Sequence, residues 1–346
     1  MKRVALLVAA GLLPMACSVR APQPTAETYL RWGLERKLRH DFAGAIVFYN
    51  RAIELRDDYA IAYFHRADAK QNLHNFAGAI ADYDKVIQLT PSSIMAYLGR
   101  GEAKQSQNDL DGSSADFDKV IAISPRFAFA YFCRGALRTK RHDFHGAVED
   151  YTTALKYSPQ LIMAYAARAN ANRLQKAFPA ALADYKEAIL RQEKLIQSNR
   201  SNGLRSLLVF NFKGAISSYT QDQQLIQKLP NLFYEEGLTK YYLRDYHSAV
   251  DDFTHALKFN QRLVGAYVER GRTKRALRDA EGAIGDCNQA IRLDPRDGVA
   301  FGVRGFANWD NGDLEAALAD ENAQVTLRPE SGLCLFGSRN DLAETK

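Results

Sequence analysis

Arginine and aspartate recur along this chain at intervals that call for a chemical explanation. Arg66, Arg100, Arg134 and Arg168 stand 34 residues apart, and Arg270 and Arg304 repeat the step. Asp82, Asp116, Asp150 and Asp184 keep the same interval, followed by Asp252, Asp286 and Asp320. A row of carboxylates could hold metal or do acid–base work. A row of carboxylates beside guanidiniums could instead form ion pairs, because the planar guanidinium fork matches a carboxylate in two hydrogen bonds. Regular recurrence favours ion pairs, since a catalytic centre is needed once and a structural position in every unit. The two columns rise and fall almost together, so an Arg–Asp ladder within or between units is expected.

The remaining reactive side chains support that reading. His40, His74, His142, His145 and His247 fall where turns are expected. Cys287 occupies a core place, Cys133 is expected to project towards a groove several units away, and Cys334 lies near the C-terminus, so a disulfide among them is not expected. The chain has no Gly-rich phosphate loop, HExxH, GxSxG or CxxC. No catalytic residue, metal or cofactor is expected, and the chain is read as a non-enzyme.

The elements that must position these residues follow from the 34-residue period. DFAGAIVFYNRAIEL, NFAGAIADYDKVIQL, DLDGSSADFDKVIAI and DFHGAVEDYTTALKY begin at 41, 75, 109 and 143. A frame laid from Ala26 gives nine units without a gap, starting at 26, 60, 94, 128, 162, 196, 230, 264 and 298. The eighth place is Gly or Ala in all of them (Gly33, Ala67, Gly101 and onward). The twentieth is Ala or Ser (Ala45, Ala79, Ser113 and onward). Small residues at both places let two helices approach closely. Aromatic rings at the fourth place, such as Tyr63 and Tyr131, and at the twenty-fourth, such as Tyr49 and Phe253, fill the remaining space. Pro91, Pro125, Pro159, Pro295 and Pro329 stand where a helix must stop.

These columns resemble the tetratricopeptide repeat (TPR), and the resemblance covers residues 26–331. It implies an all-α, right-handed superhelical TPR solenoid of about nine helix-turn-helix repeats, stacked because no single pair can bury its apolar face. The repeat at 196 is degenerate: Asn199, Arg200, Ser201 and Asn202 replace its helix start, and both sequence drift and a hinge are open readings. In the last repeat Glu321 and Gln324 are expected to face water. Residues 332–346 form a C-terminal tail too short for a catalytic domain.

In the TPR family the first helix of each repeat lines a concave groove. The matching places are Phe64, Asp68, Leu98, Glu102, Phe129, Phe132, Lys140 and Arg173 in the first half, then Tyr234, Leu238, Tyr241, Tyr242, Arg272, Arg275, Phe306 and Trp309. Aromatic residues and Arg are common binding hot spots. The resemblance therefore implies a scaffold that grips a partner peptide or helix. A self-associating homodimer is the alternative.

The N-terminus reads as an address. Residues 1–16 join a basic start, Lys2 and Arg3, to a short apolar stretch ending at Ala16. Cys17 then resembles a lipobox cysteine, the site of lipid attachment, with Pro14 where Leu is usual, and residues 17–25 read as a tether. An outer-membrane lipoprotein facing the periplasm is expected, with a secreted or soluble periplasmic protein as the alternative. Lipid would be the only membrane contact. The formal charge of +6 is spread widely. The basic run Arg270, Arg272, Lys274, Arg275 and Arg278 is interleaved with Glu235, Glu236 and Glu269, so it reads as a charge mosaic and no nucleic-acid partner is expected.

Overall fold

The computed structural model describes residues 23–208, 224 and 226–327. Among these residues there are sixteen helices and no strand. They are α1 (Ala26–Leu38), α2 (Phe42–Leu55), α3 (Ala60–Asn72), α4 (Phe76–Leu89), α5 (Ile94–Ser106), α6 (Leu110–Ile123), α7 (Ala128–Lys140) and α8 (Phe144–Tyr157). There follow α9 (Ile162–Leu174), α10 (Phe178–Leu208), α11 (Leu229–Tyr242), α12 (Tyr246–Phe259), α13 (Val264–Ala276), α14 (Ala280–Leu293), α15 (Gly298–Asp310) and α16 (Leu314–Leu327). The chain divides into two compact units, Met1–Asp116 and Phe117–Lys346. Within each unit the expected architecture holds: first helices pack on their seconds, as α1 on α2 and α7 on α8, and second helices pack on the next first helix, as α2 on α3 and α8 on α9.

The turn inside each pair is built from two residues. A residue in the left-handed region ends the first helix: His40 (φ 58), His74 (φ 59), Asn108 (φ 64), His142 (φ 59), Lys176, Arg244 and Arg278 (φ 63 each). At the first turn His40 N–H then donates to Lys37 O and Asp41 N–H to Arg36 O, at 2.9 and 3.0 Å, which satisfies late carbonyls of the helix. The next residue caps the second helix. Asp41, Asp109 and Asp279 Oδ1 each accept from a backbone N–H at 2.9 Å, and Asp143 does so at 3.0 Å. Three of the histidines are thus turn formers, while His145 and His247 lie exposed in the first turns of α8 and α12.

Small-against-large packing holds each pair. Tyr49 lies flat on Gly33, where an added Cβ would sit 2.4 Å from the ring. Ala45, Ala79, Ser113, Ala147, Ala181, Ala249, Ala283 and Ala317 are wholly buried, as are the rings of Phe117 and Phe253. The polar twenty-fourth place of the last repeat does not face water as expected. Glu321 is buried, because this place points at its own first helix, and Gln324 packs over Gly302.

The sixth repeat is a correction. No helix begins at 196, because α10 runs 31 residues across that point, from Phe178 to Leu208, and residues 209–223 of the repeat lie outside the described residues. Other second helices end near Asp, Asn or Pro, whereas Arg191-Gln192-Glu193-Lys194 consists of good helix formers and carries no stop signal. Asn199 to Asn202 are helical within α10. Ala215 and Tyr219, which kept the phase, lie outside the described residues.

Repeat seven takes the vacated place. Its first helix, α11, packs on α9 and α10 just as α3 packs on α1 and α2. Leu232 enters the cluster of Ala169, Ala181 and Tyr185, in the place where Ala62 meets Tyr49 and Ala52. Repeat seven therefore stacks directly on repeat five. Removing residues 195–228 should leave an array whose helical circular dichroism per residue and cooperative melting match the parent. Aggregation or a broad, non-cooperative melt in that variant would refute direct stacking.

Candidate partner-binding face

Two faces of the first helices carry charged side chains, and they do different things. On the stacking face the Arg–Asp ladder is present. Arg134 Nε and Nη2 donate to Asp150 Oδ2 and Oδ1 at 2.9 and 2.6 Å. The remaining Nη1 donates to Asp118 of the preceding pair at 2.7 Å. Arg66 repeats the pattern with Asp82 and Asn50, Arg168 with Asp184 and Thr152, Arg270 with Asp286 and Thr254, and Arg304 with Asp320 and Asn288. Arg100 bridges Asp116 and Asp84. The ladder is thus both within and between repeats. The fourth-place ring lies under each guanidinium, as with Tyr63 at 5.1 Å and Tyr131 at 5.6 Å. A cation four residues on closes the network: Lys70, Lys104, Arg138 and Lys274 reach the same aspartates.

The opposite face carries the residues expected to meet a partner. In the first unit Phe64 meets Tyr83 edge-on at 5.9 Å, and Asp68 pairs with Lys37 at 2.5 Å. Burial pushes the Glu102 carboxyl up, partly offset by a hydrogen bond from Gln71. Leu98 does not line a surface, being only 4% exposed. The fifth place faces the seam between neighbouring first helices, as Phe132 shows by packing near Ala167 and Ala171. Cys133 is likewise buried and does not project into a groove.

In the second unit the face is richer in rings. Phe129 and Phe132 stack at 5.7 Å, and Lys140 is exposed at the end of α7. Arg173 pairs with Glu235 at 3.0 Å, and burial pushes Glu235 up. Tyr241 contacts Tyr242 and Tyr246, and Phe178 stacks on Tyr242 at 5.9 Å. Burial pushes the Tyr234 hydroxyl up to about 12, and Leu238 is half-buried beside it in α11. Arg272 grips Glu269 at 3.0 Å, while Arg275 pairs with Asp310 at 2.5 Å and lies over Phe306. Tyr242 and Trp309 remain 55% and 42% exposed. Within the basic run, Arg270 and Lys274 share Asp286.

The family model for the tetratricopeptide repeat matches residues 60–93. The chain is also similar to two solved structures. One is the C-terminal part of a TPR repeat-containing protein from Cytophaga hutchinsonii, with TM-score 0.55 and 17% identity over 78% of this chain and 96% of that one. The other is a tetratricopeptide repeat protein from Parabacteroides merdae, with TM-score 0.53 and 13% identity over 82% and 98%. This is a tetratricopeptide-repeat solenoid. No curated protein matches the sequence.

Within the TPR array some face residues went unanticipated. Lys37, His65, Glu235, Glu269 and Asp310 complete the ion pairs and seams on the partner face. Their signal was their place: acids at the sixth position of repeats seven and eight stand within reach of arginines at the ninth and twelfth. Among the described residues no group of three His, Cys, Asp or Glu could hold a metal, and no helix is long and apolar enough to cross a membrane. Cys17 and residues 332–346 lie outside the described residues.

Repeat seven breaks the ladder. Glu236 replaces arginine, and Lys240 alone bridges Glu236 at 3.0 Å and Asp252 at 2.7 Å. Burial pushes the Asp252 carboxyl up to about 7, with Glu236 adding to the shift and Lys240 opposing it. A carboxyl whose folded pKa is raised holds its proton more tightly when folded. Its stabilising contribution is present at acid pH and is lost as pH rises through about 7. Asp252→Asn should therefore gain melting temperature over wild type progressively from about pH 5 to about pH 8. An equal difference at both ends would refute it. In the intact ladder, Arg134→Ala should cost about 3 kcal/mol in urea unfolding, because Asp150 is left buried with Arg138 as its remaining cation. An unchanged midpoint would show that the pair contributes nothing.

Proposed function

We propose that this TPR solenoid is a non-enzymatic scaffold that holds a partner peptide or helix against its first-helix face. The observation that carries the reading is the exposure of Tyr242 and Trp309 on the first-helix face that also carries Arg275 over Phe306. Tyr, Trp and Arg are the residues that supply most binding energy in protein interfaces. The stacking face is saturated by the ladder, so the opposite face is the one available to a partner.

We further propose that the scaffold works in a bacterial cell envelope, attached through lipid on Cys17 after loss of residues 1–16. The basic start, short apolar stretch and Ala-Cys ending support this. Two experiments test the pair of statements. Envelope extract passed over wild type and over Tyr241→Ala/Trp309→Ala should yield a protein whose recovery falls about ten-fold with the double variant. Equal recovery of every protein would overturn the face assignment. Cys17→Ala should move the protein from the membrane fraction to the soluble one, and unchanged partition would overturn the anchor.

A further inference from the structure

The first unit carries a second feature that the aromatic face does not account for. A cavity of about 570 Å³ opens between the ends of the first two repeats. Leu34, Leu38 and Phe42 wall it, with Lys37, His40 and Asn72 at its rim. Leu38 is 83% exposed, far more than an apolar side chain needs to be beside such a recess. One turn from Asn72 along α3 lies Asp68, whose backbone carbonyl accepts from Asn72 Nδ2 at 2.8 Å. Gln71 then links to Glu102 on α5. Apolar recess and carboxylates are therefore neighbours on one face.

The charges there are not balanced. Lys37 serves Asp68, which leaves Glu102 half-buried with a neutral amide as its hydrogen-bond partner. Two further polar atoms in the cluster, Tyr49 Oη and His65 Nδ1, are buried without a hydrogen-bond partner. Their rings stack at 6.0 Å, and the charge of Asp68 acts on both. The chain as a whole is positive, yet residues 23–116 carry 13 Asp and Glu against 11 Lys and Arg. On the face itself Asp68 and Glu102 stand near each other with Lys37 as the cation paired there, and the second carboxylate is complementary to a further cation.

We infer that this face of the first unit takes a partner peptide that seats a bulky apolar side chain in the cavity and a neighbouring Lys or Arg between Asp68 and Glu102. The inference rests on the scaffold reading and names the chemistry of the partner. The apolar side chain supplies burial in a recess already formed, and the cation supplies the charge-assisted hydrogen bonds that Glu102 lacks.

Fluorescence anisotropy with the full chain and three labelled peptides of equal length tests it. One peptide carries a Leu-Arg core, the second Leu-Glu and the third Ser-Arg. The Leu-Arg peptide should bind at least about ten-fold more tightly than either of the others. Glu102→Gln and Leu38→Ser should each weaken it about ten-fold, and Lys37→Gln, which frees Asp68, should tighten it. Circular dichroism melts of the three variants show that each is folded. Equal affinity for the Leu-Arg and Leu-Glu peptides, no measurable binding of the Leu-Arg peptide, or no change in Glu102→Gln overturns the inference. If the envelope partner is lost with Tyr241→Ala/Trp309→Ala but retained with Glu102→Gln, the scaffold reading stands and this one fails.

Discussion

The guanidinium of the seventh place is the constraint on which the stack depends. Arg134 grips Asp150 of its own pair with two donors, reaches Asp118 of the pair before with a third, and lies over the ring of Tyr131. A lysine could satisfy one of these partners and not all of them, because it lacks the flat fork. The pairing is costly to set up, since Asp150 is stripped of water, and its net contribution to stability is modest. What it supplies is register. A helix pair that slipped along its neighbour would strand a buried carboxylate, and that penalty is larger than the loss of any single apolar contact.

The exceptions to the ladder follow the same logic. In the first repeat Trp32 and Phe48 take the two places, and an aromatic contact at 5.8 Å stands where the ion pair would be. At the junction of repeats five and seven the charges are reversed. In the other junctions the acceptor for the third guanidinium donor is Asn, Asp or Thr. By register, the corresponding residue of repeat five is Lys186, a cation, and the residue opposite it is Glu236 rather than arginine. An arginine there would meet a like charge. The substitution that looked like a defect in repeat seven therefore matches a neighbour 50 residues earlier, which is the separation that direct stacking on repeat five requires.

The period, the small and aromatic columns, and the ladder were legible because each is demanded by contacts that recur in every pair. Gly33 beneath Tyr49 leaves no room for another residue, so the sequence has to display it. The sixth repeat was misread for a related reason. Repeats five and seven start two whole periods apart, so the frame passes from one to the other without a slip, and Ala215 and Tyr219 keep its phase. The helix that runs unbroken through 196 was visible only as a missing stop between Arg191 and Lys194, a local signal that a periodic frame overrides. Leu98 and Cys133 were misplaced because a helical wheel gives the direction of a side chain and not how closely the next helix covers it. Glu321 was misplaced because the twenty-fourth place faces inward even in the last pair.

The geometry of the first helix separates the face that holds the stack from the face that does not. Places four, seven, eight and eleven fall on one side of a 3.6-residue helix, and there they carry the ring, the arginine, the small residue and the second cation of the ladder. Places two, nine, twelve and thirteen fall on the other side, where contacts between neighbours such as Lys37–Asp68 and Arg275–Asp310 do not recur from pair to pair. The first set is nearly constant along the chain. The second ranges from Asp68 and Glu102 to Arg272, Tyr242 and Trp309. A side chain on the second face can change from acid to base to ring without disturbing the ladder, so the composition of this surface is free of the constraints that the ladder imposes. Variation concentrated on one side of a helix whose other side barely varies is what selection for different contacts on a shared frame would leave behind.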